Sequence, residues 1–272
     1  MKVRIITALI AIAAVIGLLF LHDTIAISIA AALLSLLAGY EVLCVTSTGK
    51  NLFFMISTLI FMGSFPFFVG GYLTFMDYKT LIIAYFIAFA VSVVIKYDPT
   101  ALERRFVAFL MNVFVSFGFS SMIRTLRMEH AIFFFLVSGF CAWMTDAGAY
   151  FVGTFLGKNK LCPVLSPKKT VEGAIGGLVI CVLTVMALAG VYASMFETAL
   201  KISYLPLVLG TIVASVGGMV GDLFASAVKR CYSVKDYGNL FPGHGGVIDR
   251  VDSALFTFPI IYLINQYFAF IV

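Results

Sequence analysis

The chain has 272 residues, of which 62% are hydrophobic and only 11% charged, and its mean hydropathy is +1.10. Soluble domains are close to half apolar and a quarter charged, so this composition excludes an ordinary soluble protein and predicts an all-α integral membrane protein. A formal charge of +5 here indicates basic loops that face an anionic leaflet and anionic substrates, with no nucleic-acid partner.

Nine apolar stretches approach the length of about 20 residues that a helix needs to cross a bilayer. They are Val3–Leu21, Thr24–Val45, Leu52–Phe75, Thr80–Lys96, Phe106–Ile123, Ala131–Leu156, Val171–Ser194, Tyr204–Ala225 and Ser253–Val272. The first continues almost directly into the second without a clear cleavage site, so we expect a retained helix rather than a signal peptide. Pro66 and three glycines predict a kinked or re-entrant third span.

Basic residues predict the orientation of the chain in the membrane. If the loop after the eighth span is cytoplasmic, most of the 18 lysines and arginines share that side. The exceptions are Lys79, Arg124, Arg127 and Lys201. This distribution predicts a cytoplasmic N-terminus, an external C-terminus, and polar loops after spans six and eight on the cytoplasmic side.

Polar residues are unevenly distributed, which predicts two functional regions. Residues 1–126 read as a scaffold of apolar helices, and residues 127–272 as the catalytic region, with polar chemistry from Asp146 onward. Three glycine pairs have the four-residue spacing that lets membrane helices approach closely: Gly153 and Gly157, Gly173 and Gly177, Gly217 and Gly221. The five cysteines form no C-x-x-C pair, so neither a disulfide framework nor a zinc site is indicated.

The sixth span and the loop after it form the first polar group. Asp146 and Tyr150 share one helical face with Gly153 and Gly157. The following segment, 166–170, reads Ser-Pro-Lys-Lys-Thr. Ser166 or Thr170 is suited to cap the next helix, with Pro167 in its first turn. Lys168 and Lys169 at this helix start form either a phosphate-binding corner or a simple positive-inside anchor.

The end of the eighth span and the loop after it form the second polar group. Asp222, Ser226 and Lys229 lie on one helical face, with Arg230 beside it. The loop carries Lys235 and Asp236, then a glycine-rich turn with His244, Gly245 and Gly246, then Asp249, Arg250 and Asp252. Asp222 and Asp249 together would form a carboxylate pair for a divalent metal that bridges phosphate oxygens. The basic side chains would offset phosphate charge.

A signature over residues 226–252 resembles the phosphatidate cytidylyltransferases, also called CDP-diacylglycerol synthases. It reads Ser226-x-x-Lys229-Arg230-x4-Lys235-Asp236-x-Gly238-x-x-Phe241-Pro242-x-His244-Gly245-Gly246-x-x-Asp249-Arg250-x-Asp252. The Asp146-x-x-x-Tyr150 helix and the segment from Ser166 to Glu172 are also similar to that family. The first hundred or so residues add no specific motif.

The resemblance implies that CTP and phosphatidic acid react to give CDP-diacylglycerol and pyrophosphate, in phospholipid biosynthesis at the bacterial inner (plasma) membrane. It also implies a homodimer and Mg²⁺, with K⁺ as a further cation. Carried over, Asp222 and Asp249 bind the metal, and Lys229 and Arg230 join them as catalytic residues. The expected substrate contacts are Ser226, Lys235, Asp236, His244, Gly245, Gly246, Arg250, Asp252, Lys168, Lys169, Ser166 and Asp146. Of these, Lys168 and Lys169 hold either the lipid phosphate or the departing pyrophosphate.

Two alternatives remain open at this stage. One is a CTP-dependent polyprenol or phytol kinase, which would transfer the γ-phosphate. The other is a transporter, because intramembrane acids are common in transporters. Glu41, Asp146 and Glu172 are either site residues or buried packing groups.

Overall fold

The computed structural model describes Leu9 and residues 13–95, 97–195, 201–240 and 245–271. Its helices are α1 (Ile25–Val45), α2 (Leu52–Val69), α3 (Tyr78–Ile95), α4 (Pro99–Thr125), α5 (Ala131–Leu156), α6 (Val171–Met195), α7 (Tyr204–Cys231), α8 (Ile248–Val251) and α9 (Ala254–Tyr267). Residues 13–20 are also helical. Helices α1 to α7 are each long and apolar enough to cross a membrane, which confirms the predicted class of helical membrane protein.

The predicted spans two to eight correspond to α1–α7, with corrections at the ends of several elements. Helix α4 begins at Pro99 rather than Phe106. Helix α2 ends at Val69 rather than Phe75, one turn after its internal Pro66. Helix α7 continues to Cys231, because Lys229 and Arg230 suit the negative end of a helix dipole. The last helix, α9, has only 14 residues and contains Pro259, so it is shorter than the predicted ninth span. Most of the predicted first span lies outside the described residues.

A short antiparallel hairpin precedes α6. Strand β1 (Lys160–Cys162) pairs with strand β2 (Ser166–Thr170), with Lys160 opposite Thr170. Pro167 was expected in the first turn of the helix, but it lies in β2 because the backbone stays extended up to Thr170. Thr170 does cap the helix, as one of the two alternatives predicted: its Oγ1 accepts from the Gly173 N–H at 3.1 Å.

The chain divides into two compact units. The first contains residues 1–127 and 231–251, and the second contains residues 128–230 and 252–272. In the first unit, α1–α4 pack around aromatic rings centred on Tyr85. The ring of Tyr85 stacks on Phe61 with centroids 4.3 Å apart, and its hydroxyl pairs with the Thr58 hydroxyl at 2.9 Å.

Close helix packing through glycine organises the second unit. A Cβ atom added at Gly148 would lie 2.9 Å from the Gly177 Cα, and one at Gly173 would lie 2.6 Å from the Ala149 carbonyl oxygen. These approaches are too short for any side chain, so α5 and α6 touch backbone to backbone. The predicted packing role of Gly173 and Gly177 is confirmed.

Candidate active site

A cavity of about 510 Å³ opens in the second unit between α5, the hairpin, α6 and α7. Its polar wall carries three lysines, two carboxylates and several hydroxyls. Its apolar wall is formed by Ala149, Leu161, Ala174 and Met219. Five residues that the sequence predicted as site residues line it: Asp146, Ser166, Lys168, Lys169 and Asp222. A cavity of this composition can hold a ligand that combines an anionic group with an apolar portion.

An ion pair between Lys169 and Asp222 crosses this cavity. Lys169 stands at the end of β2, where the extended backbone turns into α6, and Asp222 lies on α7. Both side chains are largely buried, with 22% and 26% of their surfaces exposed. A partly desolvated pair is stronger than one at the surface, so Lys169 and Asp222 offset each other's charge within the cavity.

A second carboxylate, Asp252, lies within electrostatic range of Asp222. Burial raises the pKa of Asp252 to about 7, and the neighbouring charge of Asp222 acts in the same direction. Lys229 opposes this rise in the pKa, while the charge of Asp146 adds to it. The second unit therefore concentrates three carboxylates and two lysines, an arrangement in which an added cation would relieve repulsion.

Close backbone contact brings Asp222 and Asp252 together. A Cβ atom at Gly221 would overlap the Phe256 ring and lie 2.8 Å from the Asp252 carbonyl oxygen, so α7 approaches the turn before α9 closely only because residue 221 is a glycine. Asp146 is tied to the same turn, because the Ser253 hydroxyl donates to its Oδ2 at 3.1 Å. Ser253 was missed in the sequence, where no pattern distinguishes this serine from others.

The rest of the signature belongs to the first unit. There Asp249 is 9% exposed, and its Oδ2 accepts from the Tyr237 N–H at 2.7 Å and the Gly246 N–H at 3.0 Å. Asp249 lies in the four-residue α8 and Asp252 in the turn between α8 and α9, so the two acids are not on one continuous helix. The pairing of Asp249 with Asp222 stays a prediction.

The remaining predicted residues are placed as follows. Ser226, Lys229 and Arg230 lie on the last turns of α7, with Lys229 buried and Arg230 exposed. Lys235, Asp236 and Arg250 are exposed in the first unit, where Gly245 has a positive φ of 84°. His244 lies outside the described residues.

Glu172, whose role the sequence left open, binds the backbone before the hairpin. Its carboxylate accepts from the Lys158 N–H at 3.0 Å, and its Oε1 accepts from the Asn159 side-chain amide at 2.7 Å. Lys160 and Tyr150 also line the cavity. Tyr150 could be anticipated from its helical face, but Lys160 could not, because its position depends on the hairpin.

Comparison with known proteins adds an independent finding. The sequence profile of the cytidylyltransferase family matches residues 2–268. The chain is 35% identical to a phosphatidate cytidylyltransferase of Staphylococcus haemolyticus over 271 residues, covering 97% of this chain and 98% of that protein. It is 36% identical to one of Staphylococcus aureus strain COL over 270 residues, with the same coverage. A 129-residue match to the Bacillus subtilis protein is 50% identical and covers 47% of this chain and 45% of that one.

Proposed function

Since the chain belongs to the cytidylyltransferase family, we propose that it transfers the cytidylyl group of CTP to phosphatidic acid. The chain is a nucleotidyltransferase, and phospholipid biosynthesis is the role that follows from the names of its relatives. The products of the proposed reaction are CDP-diacylglycerol and pyrophosphate.

The observation that carries the lipid half of this proposal is the cavity of the second unit. Its lysines suit a phosphate monoester, and its apolar wall suits the glycerol and the first carbons of acyl chains. Lys168 is exposed and Lys169 is largely buried, so one is accessible from water while the other acts within the cavity. We assign Lys168, Lys169 and Ser166 to the phosphate of phosphatidic acid.

The proposed reaction requires neutralisation of the phosphate charges more than it requires a strong base. An oxygen of the phosphatidate phosphate forms a bond to the α-phosphorus of CTP, and the bond from that phosphorus to the bridging oxygen breaks. Pyrophosphate leaves with the electron pair. Because phosphatidate is already ionised near neutral pH, its proton does not have to be removed first. The lysines and arginines of the signature position the two anions and reduce their repulsion.

The carboxylates present fit the expected Mg²⁺. They offer hard oxygen ligands, and Mg²⁺ commonly uses only one or two carboxylates together with substrate phosphates. Among the residues that the structure describes, no group of three or more His, Cys, Asp or Glu side chains is arranged to hold a metal ion. Asp222 and Asp249 are the proposed ligands, and the bound ion would stabilise charge on the phosphates.

Three further properties belong to the proposal. K⁺ is the expected additional cation, and the enzyme is expected to be a homodimer. It is expected to lie in the plasma membrane with its site on the cytoplasmic face. The orientation can be tested with an impermeant maleimide on right-side-out vesicles. The exposed Cys231 should react only after permeabilisation. A cysteine introduced by Glu129→Cys in a Cys231→Ser background should react without it, and the reverse pattern would contradict the orientation.

Labelled CTP tests the reaction itself. Purified chain in detergent, with Mg²⁺ and phosphatidic acid, should move label from the α-position of CTP into lipid. Label in the γ-position should leave as pyrophosphate. A polyprenol or phytol kinase would instead place the γ label in a lipid alcohol. Absence of turnover in both detergent and liposomes would contradict the proposal and favour a transporter.

A further inference from the structure

Glu41 is the only charged residue in α1, and it lies one turn before the end of this apolar helix. The side chain is almost fully buried, with the residue 7% exposed. A buried carboxylate is costly unless its oxygens are hydrogen-bonded, so its partners indicate why the fold contains it.

Both oxygens of Glu41 bind the signature segment, within the first unit. The Val247 N–H donates to Oε1 at 2.8 Å and the Ile248 N–H donates to Oε2 at 3.1 Å. Charge-assisted bonds of this kind are roughly twice as strong as neutral ones. They join α1 to backbone that lies 206 and 207 positions later in the chain.

Asp249, which belongs to the same segment, also binds its backbone. Its Oδ2 bonds to the backbone N–H groups of Tyr237 and Gly246, so two adjacent carboxylates hold four backbone donors. In the described part of the segment 231–251, after the end of α7, the four-residue α8 is the sole helix. The carboxylates of Glu41 and Asp249 therefore anchor backbone that lies mostly outside regular secondary structure.

Two glycines of the signature leave the space that Glu41 occupies. A Cβ atom added at Gly238 would lie 2.7 Å from the Glu41 Oε1, and one added at Gly246 would overlap the same carboxylate. A side chain at either position would push Glu41 away from the backbone. The glycine at 246, expected as a substrate contact, thus has a structural explanation within the protein.

We propose that Glu41 is a positioning residue for the transfer reaction, holding residues 246–248 so that Asp249 and Arg250 are presented to the nucleotide and metal in one orientation. This inference rests on the proposed function, in which Asp249 binds Mg²⁺. Glu41 acts through Asp249 and Arg250 and does not itself touch substrate.

Substitutions at Glu41 test this role, because kcat and the Mg²⁺ requirement should change while the KM for phosphatidic acid should not. Glu41→Gln keeps one acceptor and places an amide NH₂ against the other backbone donor, so we expect kcat to fall about tenfold and Glu41→Ala to lower it further. The Mg²⁺ concentration for half-maximal rate should rise, while the KM for phosphatidic acid stays within about twofold. The control Glu129→Gln, at a side chain that is 92% exposed, should leave all three constants unchanged.

A double-mutant cycle with Gly246→Ala isolates the contact. Alone, Gly246→Ala should lower kcat because its methyl group displaces the Glu41 carboxylate. In a Glu41→Ala background that carboxylate is absent, so the added methyl group should cost less than twofold. Fully additive losses, or near-normal kcat and Mg²⁺ dependence in both Glu41 variants, would overturn the proposal.

Limited tryptic cleavage separates failure of this inference from failure of the proposed function. Cleavage after Lys235 and Arg250 should be faster in Glu41→Ala than in the parent chain or Glu129→Gln, at equal thermal stability. If the parent chain showed no cytidylyltransferase turnover, the proposed function would fail, yet this cleavage pattern would still report the contact. Unchanged cleavage in Glu41→Ala would show that Glu41 does not order the segment.

Discussion

Lys169 and Asp222 form an ion pair that joins the end of β2 to α7 inside the cavity of the second unit. The two residues come from separate polar groups of the sequence, one before α6 and one near the end of α7. Their pairing links the expected lipid-phosphate contact with the expected metal ligand. A phosphate that enters the cavity would meet Lys169 and Asp222 together, so binding and charge balance are coupled there.

Lys169→Ala should raise the KM for phosphatidic acid by about tenfold or more, equivalent to about 1.4 kcal/mol. The substitution removes a phosphate partner and leaves Asp222 uncompensated beside Asp252. Steady-state kinetics with phosphatidic acid in mixed micelles measure this effect. Lys201→Ala, at an exposed lysine on the predicted external side, is the matched control. An unchanged KM in Lys169→Ala would remove this residue from the lipid site.

Asp222→Asn and Asp249→Asn should each lower turnover at least about a hundredfold, the scale lost when a main electrostatic group of a transfer reaction is removed. Both amides keep the size of the carboxyl group, and an Asn oxygen at 249 is still able to accept from Gly246 and Tyr237. Folding and membrane insertion should therefore persist. Turnover across a Mg²⁺ titration is the measurement, and near-normal rates in either variant would show that its carboxylate is not a metal ligand.

Gly177→Ala should destabilise the second unit by about 1–3 kcal/mol, the usual range for overpacking. The added methyl group would meet the Thr145 carbonyl oxygen and lie 2.9 Å from the Ala149 nitrogen. Gly190→Ala on the same helix is the control, because nothing lies within 4 Å of its Cβ position. Thermal unfolding in detergent should show a lower Tm for the first variant only. Equal Tm values would mean that α5 and α6 separate at little cost.

The carboxylate of Asp98 should give the first unit a pH-dependent contribution to stability. Hydrogen bonds from the Thr100 hydroxyl, then from the Ala101 and Thr100 N–H groups, lower the pKa of this carboxyl below its ordinary value of 3.8. Because the folded-state pKa is the lower one, the stabilisation is present above pH 3.8 and is lost as the pH falls through the folded pKa.

Asp98→Ala should therefore lower the Tm near pH 7 and have a smaller effect near pH 3. Asp98→Asn keeps an oxygen acceptor at the start of α4, so it should retain more stability at pH 7 while losing the pH dependence. A Tm difference between Asp98→Ala and the parent chain that stays constant with pH would contradict this origin.

Local patterns in the sequence determined the membrane class, the helices α1 to α7 and the signature that places the chain in its family. Hydropathy acts over about 20 residues, and the spacing of residues on a helix face acts over a few turns, so both can be read without the fold. The sequence also indicated that Asp146, Ser166, Lys168, Lys169 and Asp222 are site residues. It could not show that they line one cavity.

The tertiary structure alone decided which distant groups meet. Three features of the cavity could not be read from the sequence: the hairpin that places Lys160 and Lys169, the pairing of Lys169 with Asp222, and the approach of the Asp252 backbone to Gly221. The bonds from Glu41 to Val247 and Ile248 span over 200 positions. No periodicity in the sequence encodes such a pairing. It follows from burial, because a carboxylate removed from water must find hydrogen-bond donors wherever the packed chain supplies them.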